Sequence, residues 1–221
     1  MAFLSLTIAS FNCHGLSRAA KQNAVIELAR AGKVDILVLQ ETYVHRLGQI
    51  RSFDATFGTR SSWGYGASGS RGVVIVLMPR FTGSALRYFR DTDGRLMWMD
   101  LDSGIRIVNV YAPGDFHSQK EFFAELDNHL VGPSRVVLVG DFNCVLGPID
   151  RRTFRGTPPK WSDRRGKGVL RELVDELGLI DAWRALRSAQ SGMNLTAGTR
   201  EAGSTAFTSR RHWLPVHIPR G

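Results

Sequence analysis

Residues Phe3 to Phe11 alternate large apolar with small polar side chains, the period of a strand that buries one face. A helical period follows, with Ala20, Ala24, Val25, Leu28 and Ala31 on one side, Ser17 placed to cap the helix and Gly32 to end it. The apolar, β-branched run Val34 to Leu39 then predicts a buried strand, so the chain opens as strand, helix, strand. From Asp54 to Tyr111, short apolar runs (Gly72 to Met78, Ala85 to Phe89, Leu96 to Leu101, Ile105 to Tyr111) are parted by turn residues and predict an antiparallel meander. Ser118-Gln119-Lys120-Glu121 has the form of a capping box, ahead of a helix whose apolar face is Phe122, Phe123, Leu126 and Leu130. Val136 to Val139 predicts another buried strand. Beyond a polar loop from Pro148 to Gly168, Val169, Leu170, Leu173, Val174 and Leu177 share one side of a helix that stops at Gly178. This order predicts an α/β fold, a sandwich of two sheets flanked by helices. The stretch from Gly192 to Gly221, rich in Gly, Ser, Thr and Arg, shows no period.

Composition narrows the classes. The 221 residues are 43% hydrophobic, with 12 Phe and 5 Trp, enough for one packed domain or two small ones. The longest apolar run, Val73 to Met78, falls far short of the ~20 residues that cross a bilayer, so no membrane partner is expected. The N-terminal stretch has no basic residue before Arg18 and no small-residue cleavage site, so a signal peptide is not expected. The 2 Cys cannot form a disulfide framework; no disulfide partner is expected, which suits a reducing intracellular compartment. A net charge of +9 favours a polyanion, nucleic acid before membrane.

Candidate chemistry sits where predicted strands end: Asn12, Gln40-Glu41, Asn109 to Tyr111, and Asp141 with Asn143. One such residue is ordinarily a solvated strand cap, but four ends carrying acids, amides or a phenol can converge on one rim of a sandwich. Hard oxygen donors such as Glu41 and Asp141 suit Mg²⁺, which takes few protein carboxylates and leaves room for a phosphate. A metal beside a phosphodiester stabilises developing charge and helps form hydroxide. The basic loop points the same way. Arg151, Arg152, Arg155, Lys160, Arg164, Arg165, Lys167 and Arg171 face one acid, Asp163, so +7 lies between residues 151 and 171. Such a run neutralises phosphates, and Trp161 within it offers a stacking surface for a base. Gly64, Gly66, Gly69 and Gly72 precede a strand instead of joining a strand to a helix, which excludes a dinucleotide fingerprint.

Ser10-Phe11-Asn12-Cys13-His14-Gly15-Leu16, Leu39-Gln40-Glu41-Thr42, Asn109-Val110-Tyr111-Ala112-Pro113 and Gly140-Asp141-Phe142-Asn143 follow the order and spacing of the endonuclease/exonuclease/phosphatase superfamily, which the chain resembles from about Leu6 to about Thr196. Gly140 to Leu146, with Asp150-Arg151 and the segment Leu179 to Arg184, is most similar to the endonuclease domain of LINE-type (non-LTR) retrotransposons. The resemblance implies a DNase I-like fold and a Mg²⁺-dependent DNA endonuclease, with Mn²⁺ as the alternative ion, that nicks DNA to prime reverse transcription. It also implies roles. Glu41 binds the metal, Asn12 orders the metal–phosphate site, Tyr111 contacts the scissile phosphate, and Asp141 with Asn143 positions or activates water. Thr196 matches a residue near the DNA. His14, where abasic-site enzymes carry Asp, is a neighbour of the site and not a base. A nuclear location follows for a working enzyme of this kind.

The resemblance breaks near the C-terminus. The superfamily's base is a His in a Ser-Asp-His motif, preceded by a strand of the form Arg-Leu-Asp-Arg, and this chain contains neither. His212 and His217 lack the Asp neighbour. With the codons GCA-GGC-TCG-ACC-GCT-TTT-ACG-TCT-CG for Ala202 into Arg210, another frame reads Arg-Leu-Asp-Arg-Phe-Tyr-Val-Ser. Residues 1–196 are therefore expected to form an incomplete domain lacking its last strands, and residues 197–221 an irregular tail translated out of frame. The alternatives to an impaired endonuclease are a DNA-binding relic without activity and an abasic-site or other phosphodiesterase of the same superfamily.

Overall fold

A computed structural model of the chain describes residues 5–66, 71–132, 135–144, 165–181, 205–208 and 216–219. Two mixed sheets pack face to face between helices. The first has the order β11-β1-β2-β4-β3 and the second β5-β6-β7-β8-β10-β9. The strands are β1 (Ser5–Asn12), β2 (Ile36–Gln40), β3 (Arg60–Gly64), β4 (Val73–Leu77), β5 (Ala85–Arg90), β6 (Leu96–Leu101), β7 (Ile105–Tyr111), β8 (Arg135–Asp141), β9 (Leu179–Asp181), β10 (Thr205–Thr208) and β11 (Val216–Pro219). The helices are α1 (Ala19–Ala31), α2 (Leu47–Phe57), α3 (Phe116–Leu130) and α4 (Arg165–Glu176). Among the described residues, no helix is long and apolar enough to cross a membrane.

The expected sandwich is therefore present, with some changes in detail. The meander divides: β3 and β4 join the first sheet, while β5, β6 and β7 form an antiparallel ribbon in the second. A helix absent from the sequence reading, α2, precedes β3 and buries Phe53 and Phe57, four residues apart, against Trp63. The N-cap of α1 is Arg18 and not Ser17, without a side-chain bond. Asp115, whose carboxylate accepts from the Ser118 amide, caps α3 one turn before the expected box. In residues 197–221, β10 lies parallel between β8 and β9, and β11 runs antiparallel along β1. Both sheets thus gain a strand from the span where an irregular tail was expected. An open strand edge presents unpaired N–H and C=O groups that a segment of almost any composition can pair.

Period-2 alternation explains what positions the site. Four strands point alternate residues into the space between the sheets: Leu6 and Ile8 of β1, Ile36 and Val38 of β2, Ile105 and Ile107 of β7, and Val137 and Val139 of β8. Continuing each row by steps of two reaches Ser10 and Asn12, Gln40, Asn109 and Tyr111, and Asp141. Each inward row thus changes from aliphatic to polar at its C-terminal end. Because β1 runs parallel to β2 and β7 parallel to β8, with Asn12 beside Gln40 and Tyr111 beside Asp141, the polar ends share one rim. The opposite faces carry Ala9, Leu37 and Leu39 against α1 and α2, and Val108, Val110 and Leu138 against α3 and α4.

Candidate active site

A polar layer separates the aliphatic core from the rim. The Gln40 amide donates to Ser10 Oγ (3.1 Å) and to Asn109 Oδ1 (2.8 Å), and Asn109 donates to the carbonyls of Leu39 and Val74 (both 3.0 Å). Asn109 and Gln40 are almost fully buried, so these bonds tie the two sheets together where apolar packing stops.

Above this layer, Asn12 bridges the sheets. Its Nδ2 donates to Glu41 Oε1 at 2.8 Å and to Asp141 Oδ2 at 2.7 Å. Glu41 reaches it because the strand stops at Gln40. A left-handed conformation at Glu41 (φ 54°) then turns its side chain into the rim. His14, Tyr43 and Asn143 are left-handed as well, so the backbone around the carboxylates is held in conformations that non-glycine residues seldom adopt. The Thr42 and Tyr43 amides donate to the carbonyls of Gly72 and Arg71, which holds this turn in place.

Glu41 is the centre of the cluster. Its Oε2 lies 2.6 Å from His14 Nδ1 and accepts from the Tyr43 hydroxyl at 2.6 Å. Burial pushes its carboxyl up, but hydrogen bonds from Asn12, Tyr43, Tyr111 and His14 outweigh it and bring the group down to about 2. The same bonds act in reverse on the phenols. Tyr43 is pushed up to about 12 by its hydrogen bond to Glu41 and by burial, and Tyr111 is raised by burial and by Glu41. Both phenols therefore remain donors at neutral pH. Arg95 stacks on the Tyr111 ring at 5.1 Å and donates to the Tyr111 carbonyl at 3.0 Å.

Asp141 follows Gly140, whose backbone lies against Val110. A Cβ there would come within 2.0 Å of the Val110 carbonyl oxygen. Asp141 Oδ1 accepts from the Asn143 amide at 3.1 Å. The Asn143 side chain turns away from the carboxylates and donates to the Ala112 carbonyl at 2.8 Å. Cys13 and Cys144 are both free thiols, each raised to about 12, chiefly by burial.

The structure thus brings together Asn12, Glu41, Tyr111 and Asp141, with Asn143 at their edge. Arg151, Arg152, Arg155, Lys160, Arg164 and Thr196 lie outside the described residues, and Arg165 is described only as backbone at the start of α4. Tyr43 and Arg95 were missed by sequence reasoning. Tyr43 lies just past a recognised motif, but only the left-handed turn brings it back to Glu41. Nothing in the sequence pairs Arg95 with Tyr111. The donor set fits a hard divalent ion. Two carboxylates from different sheets lie within hydrogen-bonding reach of one amide nitrogen, and one of them is held firmly ionised. Among the described residues, no three His, Cys, Asp or Glu side chains form an all-protein cage, which Mg²⁺ does not need when a phosphate supplies ligands.

A family model described as the Endonuclease/Exonuclease/phosphatase family matches residues 9–218. The chain is 28% identical over 188 residues to a transposon TX1 uncharacterized 149 kDa protein from Xenopus laevis; the match spans 82% of this chain and 14% of that protein. Similar solved structures include an AP endonuclease from Archaeoglobus fulgidus (TM-score 0.65, 23% identity, 81% of this chain and 74% of the other). Another is the 3′ phosphatase NExo from Neisseria bound to a product DNA hairpin (TM-score 0.63, 22% identity, 81% and 74%).

Proposed function

The chain belongs to the endonuclease/exonuclease/phosphatase family, and on that premise we propose that it is a divalent-metal-dependent DNA endonuclease of a transposable element, one that nicks a phosphodiester and leaves a 3′-hydroxyl for reverse transcription. The observation that carries the reading is the Asn12 amide held between Glu41 and Asp141. Two carboxylates this close repel unless a donor or cation lies between them, and Asn12 supplies the donor. The transposon relative supports a mobile-element origin, and the net +9 charge supports a nucleic-acid substrate.

Glu41 and Asp141 would hold Mg²⁺ or Mn²⁺, with Asn12 beside them. An ion held there would supply charge neutralisation at the phosphate and a lowered pKa for water. The chain's own groups do the rest. Asn12 fixes both carboxylates, Tyr111 would turn its protonated phenol from Glu41 to a phosphate oxygen, and Arg95 stacks on its ring. Asp141 accepts the proton of the attacking water, and the Asn143 backbone keeps its carboxylate in place. The basic run from Arg151 to Arg165 would carry flanking phosphates, and Thr196 would contact the DNA. The endonuclease unit takes in β10 and β11 as well as residues 1–196, since each adds a strand to one of the two sheets.

Purified chain with Mg²⁺ is expected to convert supercoiled plasmid to open circle, and Glu41→Ala or EDTA to abolish the conversion. A second reading, DNA binding without cleavage, is favoured by the absence of a Ser-Asp-His motif, since a general base typically contributes 10²- to 10⁴-fold. Plasmid retarded in a low-salt gel but never nicked would establish that reading and overturn the first.

A further inference from the structure

Both lone pairs of Glu41 Oε2 are taken up. Oε1 accepts from Asn12, Oε2 accepts from Tyr43 and lies against His14 Nδ1, and the Tyr111 phenol lies near enough to help hold the carboxyl down. Three of these donors are held by other contacts. Asn12 is 9% exposed and also bonds Asp141. Tyr111 lies beneath Arg95, and the Tyr43 ring packs beside Gly15, where an added Cβ would meet it at 3.2 Å.

His14 is different. Its side chain is 82% exposed, and its close polar contact is with Glu41 Oε2. The backbone of the turn is pinned independently of the ring. The His14 amide donates to Asn12 Oδ1 (3.1 Å), its carbonyl accepts from Lys21 Nζ (3.0 Å), and the Gly15 amide donates to the Glu41 carbonyl (2.6 Å). Swinging the ring into solvent therefore costs one hydrogen bond and a tilted ring contact with Tyr43 at 6.1 Å. An N–H on a carboxylate oxygen occupies the lone-pair direction that a cation would take. Mg²⁺ seeks oxygen and has little use for imidazole, so the ring and the ion compete for Oε2.

We propose that the His14 imidazole is a displaceable occupant of the cation position on Glu41, so that His14 sets the affinity of this site for Mg²⁺ by competing with the ion. The inference rests on the metal-dependent reading above. It makes His14 a positioning residue: it keeps Glu41 ordered without the metal and yields when the metal arrives.

The test uses the full chain without DNA, at one pH of about 8. Mg²⁺ binding is measured by calorimetry, and the His14 ring carbons are followed by NMR, assigned with His14→Gln. Removing the ring by His14→Ala, and by His14→Gly to suit the left-handed backbone, is expected to tighten Mg²⁺ binding about fivefold, the scale of one net hydrogen bond. Saturating Mg²⁺ is expected to shift the His14 ring resonances of the unmodified chain, and Glu41→Gln to abolish both metal binding and the shift. Weaker or unchanged Mg²⁺ binding in both ring-removal variants would overturn the proposal, as would ring resonances that ignore the metal. The two readings separate cleanly. A chain that binds Mg²⁺ and frees His14 but never nicks plasmid sustains this inference and sinks the endonuclease. A chain that nicks while ring removal loosens the metal does the opposite.

Discussion

At the scale of single residues, the site depends on one carboxylate kept ionised inside a ring of donors. Glu41 titrates at about 2 in the folded chain, below its ordinary 4.5, because the hydrogen bonds to its charged form outweigh the burial that opposes it. A carboxyl depressed by folding stabilises the fold above its unfolded value and loses that contribution as pH falls toward the folded one. Here the window runs from about 4.5 down to about 2, and the full contribution is on the order of 3 kcal/mol. In EDTA, the stability gap between the unmodified chain and Glu41→Gln is therefore expected to narrow by about 2 kcal/mol between pH 7 and pH 3. Urea midpoints at the two pH values measure it, and a gap that stays constant would show that the donors do not hold the charge. The identity of Glu41 and Asn12 was legible in their motifs. The partners that tune Glu41 were not, because Tyr43 reaches it only through a left-handed backbone at a position where the sequence shows no glycine.

At the scale of elements, the rim exists because four strands end together with their inner rows turned polar. Gly140 is the tightest point of that arrangement. A Cβ there would lie 2.0 Å from the Val110 carbonyl oxygen in the neighbouring strand, at a φ of +151°. Gly140→Ala is expected to cost about 2–4 kcal/mol, since the strand that carries Asp141 must move or strain. Gly104, also at positive φ (+72°) but with open space around it, provides the comparison: its alanine variant is expected to lose only about 1 kcal/mol. Equal losses in thermal unfolding would refute the close-approach argument. Strand and helix periods were readable in most elements because aliphatic rows of period 2 and 3.6 run through them. The exceptions were the short strands β3, β9, β10 and β11, too brief to show a period, α2, which carries only Phe53 and Phe57 as buried anchors, and the caps of α1 and α3, whose positions depend on where each chain segment leaves the sheet.

At the scale of the whole molecule, charge is unevenly spread: +7 of the +9 lies between residues 151 and 171. If this run carries phosphates, replacing Arg151, Arg152 and Arg155 by Ala should lower the slope of log affinity against log salt by about 2–3, close to one per cation removed. Gel-shift titrations across salt concentrations measure the slope, and an unchanged value would leave the loop as a solvated surface. The sequence by itself determined the family, the sandwich and the rim residues Asn12, Glu41, Tyr111 and Asp141, because each is written locally in a short motif at the end of a strand with a clear period. It could not determine how those ends face one another. That Asn12 from one sheet reaches Asp141 from the other, that Gln40 locks Asn109 across the gap, and that residues near the C-terminus add a strand to both sheets were decided by tertiary structure. These contacts join positions up to 214 residues apart, from Ser5 to Pro219, and their geometry depends on sheet packing and backbone pairing that no local pattern encodes.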